Sequence, residues 1–275
     1  MSVVCIHCKS DPCACEVTAF PAATPATTLE IVHGGSHCQH RAVQVDDNKR
    51  IVDCRDCAIG PWALDSGGFT ELNLHGTWTL SPADYVTVVR RYRDEIGQLA
   101  WAAPQDWMCE PLVREKTGLS VKQHQDLTIE NLLHLRALAP DLPIVPVLQG
   151  WAPDDYMRHV EAYEDAGVFL NREQLVGLGS VCRRSHLGVA ETIVRRLHGA
   201  GIRLHGFGLK ITAGERMRDA IVSCDSLAWS ITARREAPLP GCPHKSCANC
   251  MKYALLWRER YLAKMAAPQQ MALLA

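Results

Sequence analysis

Strand-like apolar runs alternate with amphipathic stretches along the chain from about residue 61 onward. In the amphipathic stretches, apolar residues recur every three or four positions, which is the spacing of one face of an α-helix. Serine or proline stands where these helices would begin, and glycine stands where they would end. The apolar runs are 62–64, 99–102, 144–148, 175–178, 202–207 and 220–224. The helix-start residues are Ser81, Pro82, Ser120 and Pro153, and the helix-end residues are Gly167, Gly199 and Gly201.

This alternation predicts βα units arranged around a parallel sheet. Two architectures fit it, a doubly wound sheet and a (β/α)8 barrel. Each apolar run is followed by polar residues or glycine, and a barrel brings the ends of all its strands together at one end. A doubly wound sheet would instead concentrate its site at one switch point, yet no G-x-G-x-x-G phosphate turn follows a first strand. We therefore predict an α/β fold with a TIM-like (β/α)8 barrel over residues 61–265 and a tail over 266–275.

Residues 1–60 differ in composition and are predicted to form a Cys-rich N-terminal extension. An Ala/Thr/Pro-rich linker at 19–28 separates two cysteine clusters. In the second cluster, two ligand pairs flank a stretch that alternates apolar and polar residues around Asp46-Asp47-Asn48, which is a hairpin signal. Ligand pairs held by a hairpin predict a zinc ribbon, with Cys38, His40, Cys54 and Cys57 as ligands. The first cluster is either a metal site or a tail of free thiols, and consists of Cys5, Cys8, Cys13 and Cys15.

Length, charge and cysteine content narrow the class of protein. The 275 residues suffice for one domain of about 200 to 250 residues with a small appendage. The formal net charge of −1 supplies no global basic field for nucleic acid, so phosphate contacts would have to be local. The thirteen cysteines fall largely into C-x-x-C clusters, which favour zinc over disulfides in a cytosolic protein. No apolar run approaches the ~18 residues of a membrane span, so we expect a soluble cytoplasmic protein.

One stretch at the end of the first apolar run carries candidate chemistry. Asp65 and Ser66 place a carboxylate and a hydroxyl at the predicted strand end. Gly67 and Gly68 permit positive φ and a close approach of the backbone to a ligand, and Phe69 adds a flat apolar face. Together these groups suit a planar ring with polar edges, such as a nucleobase. Taken alone, the same string is more often an ordinary turn.

Five ordered motifs resemble the tRNA-guanine transglycosylase superfamily, and most of all its phage-associated branch, the deazapurine-in-DNA (DpdA-like) transglycosylases. The motifs are D-S-G-G-F at 65–69, P-V-L-Q-G at 146–150, V-G-L-G at 176–179, L-H-G-F-G at 204–208 and C-D-S-L-A-W at 224–229. The likeness spans residues 62–262. Enzymes of this superfamily are pentosyltransferases that exchange a guanine base for a 7-deazaguanine without cutting the backbone. The resemblance therefore implies replacement of guanine by a preQ0-like 7-deazaguanine in DNA.

The resemblance also implies roles for individual residues. Asp225 would be the nucleophile that attacks the sugar C1′ and forms a covalent aspartyl–glycosyl intermediate, as in retaining glycosidases. Asp65 would be the general acid and base at the leaving guanine, with Phe69 stacked on the ring. Asp106 would read the guanine N1–H and 2-amino group, a role for which Glu110 competes. The other implied substrate contacts are Ser66, Gly68, Gln149, Gly150, Gly177, Gly179, His205, Gly206 and Arg234.

A compact cluster near the C-terminus predicts a structural metal site. Cys247 and Cys250 match the C-x-x-C core of the superfamily's zinc motif. The remaining ligands would be Cys242 and His244, whereas the tRNA enzymes usually use a C-x-C-x-x-C and a distant histidine. Four such ligands within nine residues predict a tetrahedral Cys3His zinc site.

Two departures from the superfamily and three alternatives stay open. Only residues 28–32 and 50–52 could supply the strands that relatives have before the D-S-G-G motif, and the large RNA-binding appendage is missing, which favours DNA over tRNA. The alternatives are a tRNA-guanine transglycosylase, a non-catalytic zinc-bearing nucleic-acid-binding barrel, and a metal-dependent hydrolase. For the hydrolase, the sequence offers no His/Asp ligand set at the strand ends. A helper protein that opens the duplex is a possible partner. The candidate phosphate contacts are Arg183, Arg184, Arg234, Arg235 and Lys245.

Overall fold

The computed structural model describes residues 30–31, 61–181, 187–209 and 216–266. Four sets of predictions lie outside these residues: both N-terminal cysteine clusters, including the zinc ribbon of Cys38, His40, Cys54 and Cys57; the strand candidate at 50–52; the arginine pair 183–184; and most of the tail.

Short strands and longer helices alternate, as the hydrophobic pattern predicts. The strands are β1 (Glu30–Ile31), β2 (Trp62–Leu64), β3 (Leu99–Ala102), β4 (Val147–Leu148), β5 (Val176–Leu178), β6 (Leu204–Gly206) and β7 (Ser223–Cys224). The helices are α1 (Gly68–His75), α2 (Pro82–Ile96), α3 (Pro111–Thr117), α4 (Val121–Leu138), α5 (Pro153–Asp165), α6 (Leu187–Gly199), α7 (Ala228–Ala233) and α8 (Met251–Ala266).

The long helices begin at the predicted residues because local capping fixes them there. The Ser81 hydroxyl accepts from the Asp84 N–H at the start of α2, and Ser120 forms a capping box with Gln123 at the start of α4. Two short helices, α1 and α3, were not predicted. Each lies in a segment after a strand end, and each is too short to display a helical period of apolar residues.

All described strand pairs are parallel, and their order is nearly the order of the chain. One sheet runs β1-β7-β6-β5-β4, and β2 pairs with β3. A parallel bridge between Ala102 and Ile144 links β3 to the segment that leads into β4. The predicted strand candidate at 28–32 is confirmed by β1, which pairs with β7. The described strands therefore follow one another from β2 to β7, with β1 beside the last.

The sheet is buried on both faces. On one face Leu64, Leu148 and Leu204 pack against the helices in a continuous apolar core. On the other face a smaller cluster gathers Ala63, Trp101, Val145, Val147 and Leu175, with Phe207 packed against it. Strands that bury side chains on both faces are typical of parallel sheets in α/β proteins.

The edge formed by the amino ends of the strands borders a cavity of about 580 Å³. Arg136 of α4 spans this edge with a bidentate ion pair to Glu173 at 2.8 and 2.9 Å, and the same guanidinium donates to the Ile144 carbonyl. Such a fork fixes the start of β4 relative to the segment before β5. Among the described residues, none of the helices combines the length and apolar character needed to cross a membrane.

Candidate active site

Polar side chains converge at the opposite edge, where the parallel strands end. We call this edge the mouth. Asp65 and Ser66 follow β2, and Gln149 follows β4 directly. Asp106 and Ser180 come shortly after β3 and β5, and Asp225 follows β7. The strand-end convergence expected from the sequence is therefore present in the described residues.

Asp106 is the centre of a buried network that joins the ends of four strands. The Ser66 hydroxyl donates to Asp106 Oδ1 over 2.7 Å, and Gln149 Nε2 donates to Asp106 Oδ2 over 2.5 Å. Beyond Gln149, the Ser180 Oγ lies 2.7 Å from Gln149 Oε1 and 2.6 Å from Glu110 Oε2. All five side chains are at most 5 % exposed, so packing holds each polar atom in place.

The position of the Gln149 amide depends on a glycine. A Cβ on Gly179 would lie 2.2 Å from Gln149 Nε2, so only a residue without a side chain leaves this space to the amide. The Gln149 backbone is held from behind: its N–H donates to His159 Nδ1 over 3.0 Å, and its carbonyl accepts from Gln125. Burial lowers the pKa of His159 to about 4, so the neutral ring can accept this hydrogen bond.

The other predicted glycines also provide space. A Cβ on Gly177 would meet the Phe207 ring at 2.5 Å, one on Gly206 would meet Leu209 at 2.2 Å, and one on Gly150 would meet Tyr156 at 2.9 Å. The N–H groups of Gly177 and Gly179 donate to the Pro146 and Leu148 carbonyls within the sheet. Contacts of these glycines with a base stay predictions.

The two glycines of the D-S-G-G string behave differently from each other. Gly67 has φ 75°, in the left-handed region, as expected for this turn. Gly68 was also predicted to permit positive φ, but it begins helix α1 instead, because its N–H donates to the Ser66 hydroxyl and the chain turns helical there. Its lack of a side chain admits the Trp78 ring, which a Cβ would approach to 2.9 Å.

Asp65 lies beside this network, and its pKa is raised. Protein packed around its carboxyl raises its pKa from 3.8 to about 7, and the nearby charges of Asp106 and Asp225 contribute to the rise. Water still reaches Asp65 from the open side of the mouth, and screening by that water works against the shift. A carboxyl with a pKa near neutrality can both give and take a proton at physiological pH.

Burial likewise raises the pKa of Asp106, from 3.8 to about 6. The hydrogen bonds from Ser66 and Gln149 favour its ionised form and limit the rise, while the charge of Glu110 adds to it. Asp106 is therefore ionised at neutral pH and able to accept hydrogen bonds from a ligand.

An apolar wall adjoins these carboxyls. Phe69, on the first turn of α1, packs with Trp78 and Met108 against the cluster of Leu72 and Trp107. The ring of Phe69 is partly exposed. It thus offers the flat apolar face that the sequence predicts next to Asp65.

Asp225 lies across the mouth, held by two groups from β6 and the residues that follow it. Its Oδ1 accepts from the Gly208 N–H over 2.8 Å and lies 3.4 Å from His205 Nε2. The other ring nitrogen of His205 lies 2.8 Å from the Ser223 hydroxyl. A hydrogen on His205 Nε2 can be donated to Asp225, while Nδ1 hydrogen-bonds with the Ser223 hydroxyl. Asp225 keeps 28 % of its side chain exposed, so it remains accessible from the mouth.

Some of the predicted contacts lie away from the Asp106 network, and some residues of the site were not predicted. Arg234, at the end of α7, is exposed together with Arg235 and Lys245, and no described hydrogen bond joins their side chains to the Asp106 network. Sequence reasoning missed Ser180, although its place directly after a G-x-G string at a strand end was a usable signal. It also missed Tyr85, whose hydroxyl donates to the Ala103 carbonyl over 2.6 Å and whose pKa is raised by burial and by Asp65 and Asp106.

The C-terminal cluster fits a metal ion. One ligand atom from each of the four predicted residues, Cys242, His244, Cys247 and Cys250, lies within 4.8 Å of all the others. The sulfur atoms of Cys242 and Cys250 are 3.8 Å apart. That separation equals the edge of a tetrahedron with metal–sulfur bonds of about 2.3 Å. The four residues could therefore hold one tetrahedral metal ion.

Apolar side chains surround the cluster and join it to the mouth. Cys247 and Cys250 are buried against Trp229, Ala233 and Tyr253, which come from α7 and α8. Since α7 starts three residues after Asp225, the cluster supports the segment that carries this carboxylate.

A family model described as DpdA, DeoxyPurine in DNA protein A, matches residues 38–273 of the chain. The match covers the mouth and the Cys3His cluster alike. A search of curated proteins found no match.

Proposed function

This chain belongs to the DpdA family, deoxypurine in DNA protein A, and from that premise we propose that it is a base-exchange transglycosylase that replaces guanine in DNA by a preQ0-like 7-deazaguanine. The observation that carries the proposal is the convergence of three aspartates, Asp65, Asp106 and Asp225, from the ends of β2, β3 and β7. Three carboxyl groups that face a nucleic acid repel its phosphates and would weaken binding in a protein that only binds. Such an arrangement is typical of a site where the carboxyl groups perform chemistry.

Asp106 and Gln149 supply the means to read the guanine edge. An ionised Asp106 accepts hydrogen bonds, which suits the N1–H and 2-amino donors of guanine. The Gln149 amide donates, which suits the O6 acceptor. A 7-deazaguanine carries the same edge, so one pocket serves both the leaving and the incoming base. Phe69 would stack on the ring face.

Asp225 and Asp65 supply the reacting groups. A carboxylate oxygen of Asp225 attacks C1′ through an oxocarbenium-like transition state, and the C1′–N9 bond to guanine breaks. Protonated Asp65 gives its proton to the leaving base, which departs as neutral guanine. The resulting Asp65 carboxylate then takes the proton from the incoming 7-deazaguanine. The deprotonated nitrogen of the incoming base attacks C1′ and displaces Asp225. Both carboxyl groups then return to their starting states.

We further propose that the sheet closes into the TIM-like barrel. The cyclic strand order supports closure, because β1 pairs with β7 and the others follow in chain order to β2. The apolar cluster on the second face of the sheet, around Trp101 and Val147, has the place of a barrel interior. Closure requires one more strand between β1 and β2, because these two strands do not pair with each other in the described residues.

Zinc is the ion that we propose for the C-terminal cluster. Three thiolates and one imidazole are the ligand set of structural zinc sites, in which no coordination position is left open for catalysis. When bound, the ion would stabilise the fold around α7 and α8. The chemistry at the mouth would be carried out by the aspartates.

Nucleoside mass spectrometry tests the function. DNA and tRNA are incubated with the purified chain and preQ0, digested, and analysed for 7-deazaguanine nucleosides and released guanine. We expect one equivalent of guanine released for each deazaguanine incorporated into DNA, and no incorporation into tRNA. Incorporation into tRNA instead would assign the chain to the queuine-type reaction. No incorporation into either would contradict the proposal.

The cost of moving the base out of the stack predicts a preference for opened DNA. Attack at C1′ needs the base out of the stack, which costs a few kcal/mol in a duplex and much less in a single strand. With a net charge of −1, the chain has few means to offset that cost. We expect faster exchange on single-stranded DNA, and we expect Arg234→Ala to weaken DNA binding several-fold and to reduce its salt slope by about 1.

A matched control for this prediction is Arg90→Ala. Arg90 pairs with Asp141 at the opposite edge of the sheet, so its removal should leave the salt slope of binding unchanged. Equal exchange rates on intact duplex and single strand, with no other protein present, would show that the chain opens DNA unaided.

A further inference from the structure

The exposed face of α7 changes from apolar to basic along its length. This face carries Leu227 and Ile231 first and then Arg234 and Arg235. Steps of three and four residues place side chains on one side of a helix, so the four lie in a row. Leu227 is 58 % exposed and Ile231 is 50 % exposed, although both are large apolar side chains. The first half of the face is therefore apolar and solvent-accessible, and the second half is cationic.

The backbone that carries this face is fixed along its length. The Leu227 carbonyl accepts from the Ser230 and Ile231 N–H groups over 3.1 and 3.2 Å. Arg234 keeps helical backbone angles, and its N–H donates to the Ser230 carbonyl over 3.2 Å. On the opposite side of the helix, Trp229 packs against the Cys3His cluster. The exposed side chains thus project from a turn of helix that is held from behind.

The apolar half of the face lies beside the proposed nucleophile. Leu227 follows Asp225 by two residues, so their Cα atoms are at most about 7 Å apart. The Asp225 carboxylate is accessible from the mouth, with 28 % of its side chain exposed. Arg234 lies about 10 Å further along the helix axis than Leu227, at a rise of about 1.5 Å per residue. A ligand that reaches Asp225 therefore meets the apolar half before the basic half.

The cations of the basic half are available to a ligand. Among the described residues, no hydrogen bond or ion pair engages the guanidinium groups of Arg234 and Arg235. The adjacent carboxylate of Glu236 accepts from the Tyr253 hydroxyl of α8 over 2.6 Å. Lys245 is also exposed, and a hydroxyl of its loop donates to the last carbonyl of α7. This end of α7 thus gathers three exposed cations.

We propose that Leu227 and Ile231 contact the bases that flank the extruded guanine, while Arg234 and Arg235 bind phosphates of the same DNA strand. The inference rests on the proposed function and deepens it, since it assigns the surface that receives the strand next to Asp225. Extrusion of a base leaves a gap in the stack and exposes the apolar faces of its neighbours. Leucine and isoleucine are among the side chains that enter such gaps.

The order of the two halves fits a nucleic acid strand better than a protein partner. Single exposed apolar side chains are ordinary on protein surfaces, but here two share a face with two arginines. A DNA strand offers apolar base faces and anionic phosphates side by side, with one phosphate per about 3.4 Å of stacked strand. The about 10 Å from Leu227 to Arg234 then corresponds to about three nucleotides. The bases next to the reacting nucleotide lie within this length.

Leu227→Ser tests the apolar contact through the difference between two substrates. A duplex loses base stacking when the guanine leaves, whereas a single strand has much less to lose. We expect kcat/KM for exchange to fall about tenfold on a duplex and about twofold on a single strand of the same sequence. The salt slope of DNA binding should stay unchanged, because no phosphate contact is removed. Leu227→Met, which keeps an apolar side chain of similar size, should restore exchange on the duplex.

Two further variants separate the apolar contact from other causes. Arg234→Ala should reduce the salt slope and lower binding of both substrates alike. Leu138→Ser is the matched control, since Leu138 is a 41 % exposed leucine at the end of α4, two residues after Arg136 at the opposite edge of the sheet. It should leave exchange on both substrates unchanged. The melting temperatures of the leucine variants should match that of the wild type, because both side chains are exposed.

A fluorescent base supplies a readout that needs no activity. 2-Aminopurine, placed in a duplex next to the target guanine, emits more strongly when its stacking is lost. We expect binding of the wild-type chain, without an incoming base, to raise this emission. Leu227→Ser should raise it severalfold less at saturating protein, whereas Leu138→Ser should match the wild type.

The outcomes separate this inference from the proposed function. Equal loss of exchange on duplex and single strand in Leu227→Ser, or an emission change equal to that of the wild type, would overturn the base contact and leave base exchange standing. An emission change that depends on Leu227 in a chain that exchanges no base would refute the proposed function and leave the contact. A dimeric wild type that becomes monomeric in Leu227→Ser, measured by light scattering, would assign the face to contact between two copies and overturn the proposal.

Discussion

Asp225→Asn is expected to abolish base exchange while leaving the fold intact. The asparagine oxygen can still accept from the Gly208 N–H, and the position is partly exposed, so no buried group loses its partner. The amide oxygen is a poor nucleophile toward C1′, and removing a nucleophile lowers turnover by on the order of 10⁴-fold or more. Exchange is followed by guanine release, and the covalent intermediate by a denaturing gel of DNA incubated without the incoming base.

The control for this variant is Asp219→Asn. Asp219 precedes β7 and pairs with Arg195 on the surface, so its loss should leave both exchange and the covalent adduct unchanged. The melting temperatures of both variants should lie close to that of the wild type. Full exchange by Asp225→Asn would move the nucleophile to another carboxylate of the mouth.

Cys247→Ser is expected to remove one metal equivalent and to destabilise the chain together with it. Cys247 is fully buried, and its sulfur lies 3.1 Å from His244 Nε2. Without a cation the thiol of Cys250 would be neutral, because burial raises its pKa to about 12. The free energy of binding at structural zinc sites is folding free energy, so we expect lower soluble yield and a melting temperature reduced by about 10 °C.

Elemental analysis of soluble protein checks this expectation, as the difference between wild type and variant. Cys224→Ser is the matched control, since Cys224 is a buried cysteine of β7 that contacts Tyr261 outside the cluster. It should keep the full metal content. Equal metal content in wild type and Cys247→Ser would disprove a site at these residues.

The sequence predicts the strand ends well because strand ends carry a local signal. Asp65, Gln149 and Asp225 each follow an apolar run directly, and parallel strands bring such ends to one edge whatever the details of packing. The C-terminal metal cluster was equally accessible, since its four ligands lie within nine residues. Spacing along the chain fixes their proximity without knowledge of the fold.

Links between distant residues could not be predicted in this way. Ser180 meets Glu110 across 70 residues, and the contact depends on a left-handed backbone that no composition or period reveals. Tyr85 fits the apolar face of α2, so its pattern predicts a core residue and hides the hydroxyl that donates to Ala103. Helices α1 and α3 are too short for a period, and their existence follows from the turns that precede them.

The close approach of Gln149 to Gly179 ties two positions that lie 30 residues apart in the chain. An amide fills the space where any side chain at 179 would begin, so position 179 cannot gain a side chain while the glutamine stays in place. A chain that exchanged Gly179 for alanine would first have to shorten or displace the glutamine, and with it the donor that faces Asp106. We therefore expect glycine at 179 wherever the glutamine at 149 is retained as this family diversifies. Redesign of the pocket for a different base must treat them as one unit.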